Sequence, residues 1–418
     1  MANTLKFGTD GNWATKEGST LAYNDENGNF KPLPFTFNRD TGATRVNKEG
    51  LIEVVSNNEP RIDFLNDSKG ALLLEPSRSN LITYSEAFDN AYWTKNGASI
   101  TSGFTSPDGT TNAFKLVEDT STGVHRIYQT STVTSSTNVS ISIYVKYAGT
   151  RWVFIRNAEN NVGRYFDLVD GVTGGTGGLG IPDNSLMVAM GDGWYKISVS
   201  NTNTSAARLE LWMTKTEQAT FSTPYTGDGT SGVYIYGAQL EEGSYATSYI
   251  PTSGSAATRV AESSSQTPPD GVIGQSEGTI FYDGYYGDEP SEVYLFLQEN
   301  LGNGVSDSIY IQKFGSNSIA MQVYDGNNFQ TQLSGGSYVS GQRIKIAVAY
   351  KQNDFALYIN NVQIGVSSGG LVPNLNGIQI GTYPALSDTH NYIASKGVNN
   401  VQLYNTRLSN SELVALTS

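Results

Sequence analysis

The sequence predicts an all-β protein built from tandem β-sandwiches, and three observations point there. Glycine (45 residues) and tyrosine (25) are abundant while charged residues make up only 16%, the balance expected of many short strands joined by tight turns. Apolar and polar residues alternate with period two along much of the chain, and Gly-rich breaks separate the alternating runs. A length of 418 residues leaves room for about two to three domains, each able to bury its own core.

Taken in order, residues 1–75 carry Phe35, Phe37, Leu51, Ile52, Val54, Val55, Ile62 and Phe64 in short runs cut closely by Asn and Gly turns. This reads as a small β-rich N-terminal segment for anchoring or assembly. Over residues 76–252 the alternation is clear: Val139, Ile141, Ile143, Val145 and Tyr147 fall on one face, opposite Ser140, Ser142, Tyr144 and Lys146. The pattern returns at Tyr195, Ile197 and Val199, at Leu209, Leu211 and Met213, and at Val233 and Ile235. Strands at this spacing make a sandwich, with Gly174–Gly180 as a flexible turn. Residues 253–277, rich in Ser, Thr and Pro, read as a linker. Residues 278–418 form the second sandwich. In it Ile344, Ile346, Val348 and Tyr350 alternate with polar or small residues, and Phe355, Leu357 and Ile359 lead through an Asn360-Asn361 turn into Val362-Gln363-Ile364. Ser409-Asn410-Ser411-Glu412 is a capping-box pattern and starts a short terminal helix.

Composition excludes several functions. Lys+Arg 26 against Asp+Glu 39 gives a net charge of −13, which opposes binding to a phosphate backbone. With no Cys and two His, zinc, iron–sulfur, thiol and disulfide chemistry are out of reach. No apolar run reaches signal-peptide or membrane-span length, so the chain reads as soluble, not exported by a signal peptide and not inserted in a membrane.

Three passages resemble the multi-module virion proteins of tailed bacteriophages, especially those of Bacteroidetes hosts. Leu72-Leu73-Leu74-Glu75-Pro76-Ser77-Arg78-Ser79-Asn80-Leu81-Ile82-Thr83-Tyr84-Ser85-Glu86-Ala87-Phe88, with Trp93 after it, is similar to the leader of their carbohydrate-binding-module-like jelly rolls. Gly191-Asp192-Gly193-Trp194-Tyr195 and the passage from Gly237 to Thr252 continue that likeness. The run from Arg343 to Val362, closed by Val401–Ser409, resembles a concanavalin-like or laminin-G-like lectin sandwich. The resemblance implies two tandem jelly-roll/concanavalin-like β-sandwiches after the N-terminal segment. It also implies a trimeric fibre, spike or tail appendage, displayed on the virion, held by other virion proteins through residues 1–75 and attached to host-surface polysaccharide. Two rivals stand beside it: a purely structural capsid or tail decoration, and a polysaccharide depolymerase.

Sugar recognition needs aromatic faces and a few fixed polar groups. Trp212 alternates with Leu209, Leu211 and Met213 and so points away from the apolar row, which makes it a ligand-contact candidate. Tyr282, Tyr285 and Tyr286 cluster near acidic residues, and Tyr383 and Tyr392 share a loop with Asp388 and His390; these tyrosines complete the candidate set, against the alternative that they cap the sandwich. No catalytic residues are expected. A polysaccharide hydrolase needs paired carboxylates, and Asp288-Glu289-Pro290-Ser291-Glu292 holds a proline unsuited to a rigid catalytic strand. His125 lies in a strand-like run without a nucleophile elbow nearby and reads as structural. No cofactor is expected; a structural calcium ion would find oxygen ligands at Asp25-Glu26-Asn27-Gly28 or near Asp288.

Overall fold

In a computed structural model, residues 4–16, 19–24, 31–134, 137–202, 206–287, 292–299, 301, 306–381 and 397–418 are described. They form antiparallel strands and, apart from a single 3-10 turn, one helix. The chain divides into two units, one of Met1–Gly42, Val55–Ser77 and Val260–Ser418, the other of Ala43–Val54 and Arg78–Arg259.

The second unit is a sandwich of two six-stranded sheets. In one, Asn138–Ala148 pairs with Trp194–Thr202 and with Gly232–Glu242; in the other, Ala206–Thr214 lies between His125–Thr132 and Trp152–Asn157. Ile141, Ile143, Val145, Leu209, Leu211 and Ile235 fill the layer between them. Such burial stabilises by roughly 25 cal/mol per Å² of apolar surface. The alternation that suggested a half-buried strand at 139–147 is buried on both faces as far as Val145, because the chain after Glu242 folds back over the outer side. Ser140 Oγ donates to Gly243 O at 3.2 Å, and Tyr144 meets Tyr249 edge to face.

The leader and closing passages are joined by buried polar groups. The Asn80 side chain donates to Ala238 O and Ile250 O and accepts from the amides of Ile82 and Leu240, so all its hydrogen-bonding capacity is used. Ser85 Oγ lies 2.7 Å from Tyr249 Oη and accepts from the Thr252 amide, and Tyr249 Oη donates to Glu86 at 2.9 Å. The Gly191-Asp192-Gly193 turn holds three consecutive positive φ angles of 86°, 46° and 72°, which explains two glycines around an aspartate. Trp194 after it is buried.

In the first unit, one run of paired strands is Leu5–Phe7, Val398–Tyr404, Glu277–Tyr285, Arg343–Lys351, Phe355–Ile359 and Val362–Ser367. The other joins Ser19–Asn24, Lys31–Asn38, Ser263–Gln266, Gly377–Ile380, Val293–Gln298, Ser308–Phe314, Ser318–Asp325 and Asn328–Gly335. Two sequence expectations change here. Residues 1–75 are not a separate segment: Phe7, Phe35 and Phe37 are fully buried in the same core as Ile346 and Leu357. The presumed linker 253–277 is not one either. Ala257–Arg259 pairs with Arg78–Asn80 in the second unit, and Ser263–Gln266 is a strand bonded on both sides in the first. Backbone pairing on two edges orders that polar stretch where its side chains could not.

Asn360 and Asn361 sit at φ 47° and 71° between Ile359 and Val362, which pair directly. This is a two-residue turn with positive φ at both central positions, for which Asn is suited. Opposite Gly278, Tyr350 lies across the strand and its hydroxyl donates to Gly274 O at 3.0 Å; a Cβ on Gly278 would fall 2.3 Å from that hydroxyl. The helix Asn410–Leu416 begins with the expected capping box at Ser409 and Glu412. It packs Leu413 against Ala347, Ala349 and Ala356, small side chains that let a helix approach the sheet. Replacing Ser409 with Ala is expected to cost about 1 kcal/mol of stability, read as a lower midpoint in urea unfolding, while Ser409→Asp is expected to hold it.

Candidate functional site

Two faces collect polar side chains in geometries that can hold a ligand. On the first unit, residues that alternate with the core point outward from three adjacent strands: Asp283, Arg343, Lys345, Asn400 and Gln402, with Phe281 at the floor. Register places Asp283 beside both Lys345 and Asn400, and Phe281 beside Gln402. They line an open cleft of about 480 Å³. Arg343 donates from Nε and Nη2 to the two oxygens of Asp283 at 2.9 and 3.0 Å and from Nη1 to Asp67 at 3.2 Å. The hydrogen bond with Asp283 heads the causes that hold this guanidinium above its ordinary pKa. Thr9 Oγ1 donates to Asn400 at 2.8 Å, and Lys345 Nζ donates to Ser418 O. The cleft thus offers fixed donors and acceptors over a rigid sheet.

On the second unit, the outward side of Ala206–Thr214 carries Arg208, Glu210 and Trp212, flanked in register by Arg126 and Tyr128 on one strand and by Phe154 and Arg156 on the other. Glu210 is 1% exposed. It accepts from Arg126 Nη1 at 3.1 Å and from Trp212 Nε1 at 2.8 Å. Arg156 Nε lies 3.0 Å and Arg208 Nε 3.5 Å from the same carboxylate, close enough to pair by charge but not aligned to hydrogen-bond. Arg208 also pairs with Glu159 at 2.9 Å. Burial holds the Arg156 guanidinium below its ordinary pKa; the attraction of Glu210 works against that shift, and the repulsion of Arg126 and Arg208 adds to it.

Trp212 faces away from the apolar row, as its alternation predicts, yet it is 5% exposed and is not an open sugar platform. Phe221 meets it edge to face with centroids 5.0 Å apart, Phe154 and Tyr165 pack beside it, and the Arg126 guanidinium lies 4.6 Å above its ring. The Gly174–Gly180 stretch, expected as a flexible turn, helps build that cover. Gly174 and Gly175 bond the backbone of Tyr165, and Gly177 O accepts from the Phe221 amide at 3.0 Å.

Tyr282 and Tyr286 are also buried, in the core of the first unit, because their alternation is in phase with Ile280 and not with Phe281. Burial, then Glu292, pushes the Tyr282 phenol well above its ordinary pKa and the Tyr286 phenol up to about 12. Tyr285 is half-buried on the outward side, opposite Arg343, with its hydroxyl donating to Asn66 O at 3.3 Å. Tyr383 and Tyr392, with Asp388 and His390, lie outside the described residues, as do Asp25–Gly28 and Asp288–Ser291. Among the described residues no three His, Asp or Glu side chains converge as a metal-ligating set. His125 is buried, with ring nitrogens 2.5 Å from Gly97 O and 3.3 Å from Tyr225 O. Arg343, Lys345, Gln402 and the arginines around Glu210 are not among the residues that the sequence singles out. Their signal lies in the polar half of strands whose apolar half marks the core.

No protein-family model matches the chain, and no curated protein matches it in sequence. Solved structures similar to part of it include the carbohydrate-binding module CBM40 of a Ruminococcus gnavus IT-sialidase bound to α2,3 sialyllactose. That likeness has 16% identity over 35% of this chain and 84% of that one, at a TM-score of 0.30. The NanB sialidase of Streptococcus pneumoniae is similar at 12% identity over 35% of this chain and 25% of its own, with a TM-score of 0.31. A heptameric SAP-like pentraxin from Limulus polyphemus shows 9% identity over 34% and 70%, with a TM-score of 0.25.

Proposed function

We propose that this chain is a glycan-binding virion protein of a tailed bacteriophage, displayed on the particle as a trimer beside other virion proteins, with host-surface polysaccharide as its ligand and no catalytic role. The observation that carries the glycan reading is the polar cleft of the first unit. Sugar hydroxyls need donors and acceptors held at fixed spacing, and Lys345, Asn400 and Gln402 supply them from neighbouring strands. Binding rather than hydrolysis fits the state of Asp283: both of its oxygens are engaged by Arg343, whereas glycoside cleavage asks one carboxyl group to carry a proton and a second to act opposite it. The virion setting rests on the likeness of residues 72–88 and 237–252 to phage modules. A single weak site becomes effective when several are linked on one particle.

The test is binding of the full chain to intact Bacteroidetes cells and to their extracted capsular polysaccharide, with release of reducing ends assayed alongside. Binding without release is expected. The double variant K345A/Q402A is expected to weaken it by about tenfold, roughly 1.4 kcal/mol, with the fold intact by circular dichroism. Absence of binding would favour the decoration role, and release of sugar ends would favour a depolymerase.

A further inference from the structure

The face around Glu210 holds more positive charge than its own carboxylates balance. Arg126, Arg156 and Arg208 come from three neighbouring strands and meet two acidic partners, Glu210 and Glu159. In a chain of net charge −13, a local excess of guanidinium groups on a rigid sheet calls for an explanation, since like charges at this separation repel. Their side chains are 23%, 13% and 30% exposed, so the groups are held in place yet reach the surface. The Tyr128 ring, half-buried, has Arg126 at 4.9 Å and Arg208 at 5.7 Å from its centroid and extends the face with an aromatic surface. Phe221 holds Arg156 from the other side, at 4.7 Å.

We infer that this face binds the carboxylate of an acidic sugar within a polysaccharide, with Arg156 and Arg126 as the anion fork and Tyr128 beneath the adjoining sugar ring. Planar guanidinium groups match a carboxylate bidentately, and an aromatic ring takes the apolar side of a pyranose. Glu210 then has a second role: it holds the arginines in position while the site is empty and competes with the incoming carboxylate. Nucleic acid fits less well, because one focus of charge is not the extended basic track that phosphate binding uses. This site is separate from the cleft on the first unit and does not depend on it.

The experiment measures binding of the full chain to a hyaluronan oligosaccharide and to an oligogalacturonate, with neutral dextran as control, by titration calorimetry at low and high salt. Binding to at least one acidic oligosaccharide, weakened by salt, is expected. Arg156→Ala should reduce that affinity by about tenfold or more, and Arg156→Lys should restore it only in part because a point charge replaces a fork. Glu210→Gln should raise affinity, an outcome that a merely structural arginine cluster does not produce. In a K345A/Q402A background Arg156→Ala should lower acidic-sugar affinity by the same factor as in the unaltered chain, which separates this site from the cleft. Failure of both acidic oligosaccharides to bind, or full affinity in a folded Arg156→Ala protein, overturns the assignment.

Discussion

Replacing Glu262 with Gln is expected to destabilise the first unit by about 3–5 kcal/mol, because it leaves two buried arginines with one carboxylate. Arg39, Arg61 and Glu262 have no exposed side-chain surface. Glu262 Oε1 accepts from Arg39 Nη1 at 2.7 Å and from Arg61 Nε at 2.8 Å, and Oε2 accepts from Arg61 Nη2 and from the Glu75 amide at 2.9 Å. Glu75 pairs with Arg61 at 2.9 Å. Arg39 also donates to the carbonyls of Thr41, Ser56 and Glu59. Burial works against the charge on Arg61, but Glu262 and then Glu75 outweigh it and hold the group above its ordinary pKa. Neutralising Glu262 therefore cannot be answered by losing a proton from arginine. The loss should appear in urea unfolding as a lower midpoint for a transition that Trp13, the one tryptophan of this unit, reports. Glu75→Gln, which leaves Glu262 bridging both arginines, should cost less. A loss under about 1 kcal/mol for Glu262→Gln would mean that water reaches the cluster and screens it.

The pieces of this molecule that were legible in the sequence are the local ones. The Asn360-Asn361 turn, the Ser409 capping box and the strand from Arg343 to Tyr350 each declare themselves within about ten residues, since turn chemistry and side-chain alternation act at that range. What escaped is non-local. Ser263–Gln266 has no apolar pattern and is a strand only because Lys31–Asn38 and Gly377–Ile380 bond it from both sides. Phe35 and Phe37 look like the core of a small separate piece until Leu5–Phe7 is seen paired with Val401–Leu403. The candidate site divides in the same way. Alternation shows that Trp212 points outward from its own sheet, but not that Phe221 and Gly177 return to cover it. It also puts Tyr282 and Tyr286 in the core, once Ile280 is taken as the phase marker in place of their acidic neighbours.

That cover sets the last expectation: Trp212→Ala should act on stability before it acts on any ligand. The indole fills a space between Phe154, Tyr165 and Phe221, supports the Arg126 guanidinium, and donates the 2.8 Å hydrogen bond to Glu210. Truncating a buried tryptophan costs about 3–5 kcal/mol through lost burial and the cavity left behind. Trp212→Phe keeps most of the ring but takes a donor from a buried carboxylate, a loss of about 1–3 kcal/mol. Denaturant unfolding followed by far-ultraviolet circular dichroism separates the cases, since a tryptophan that served as a sugar platform would leave the midpoint unchanged and lower only the affinity. If Trp212→Ala does unfold at lower denaturant, any accompanying loss of acidic-sugar binding is to be read through Arg126 and Arg156. Both lie against this indole, at 4.6 and 6.0 Å from its centroid, and lose their support when it goes.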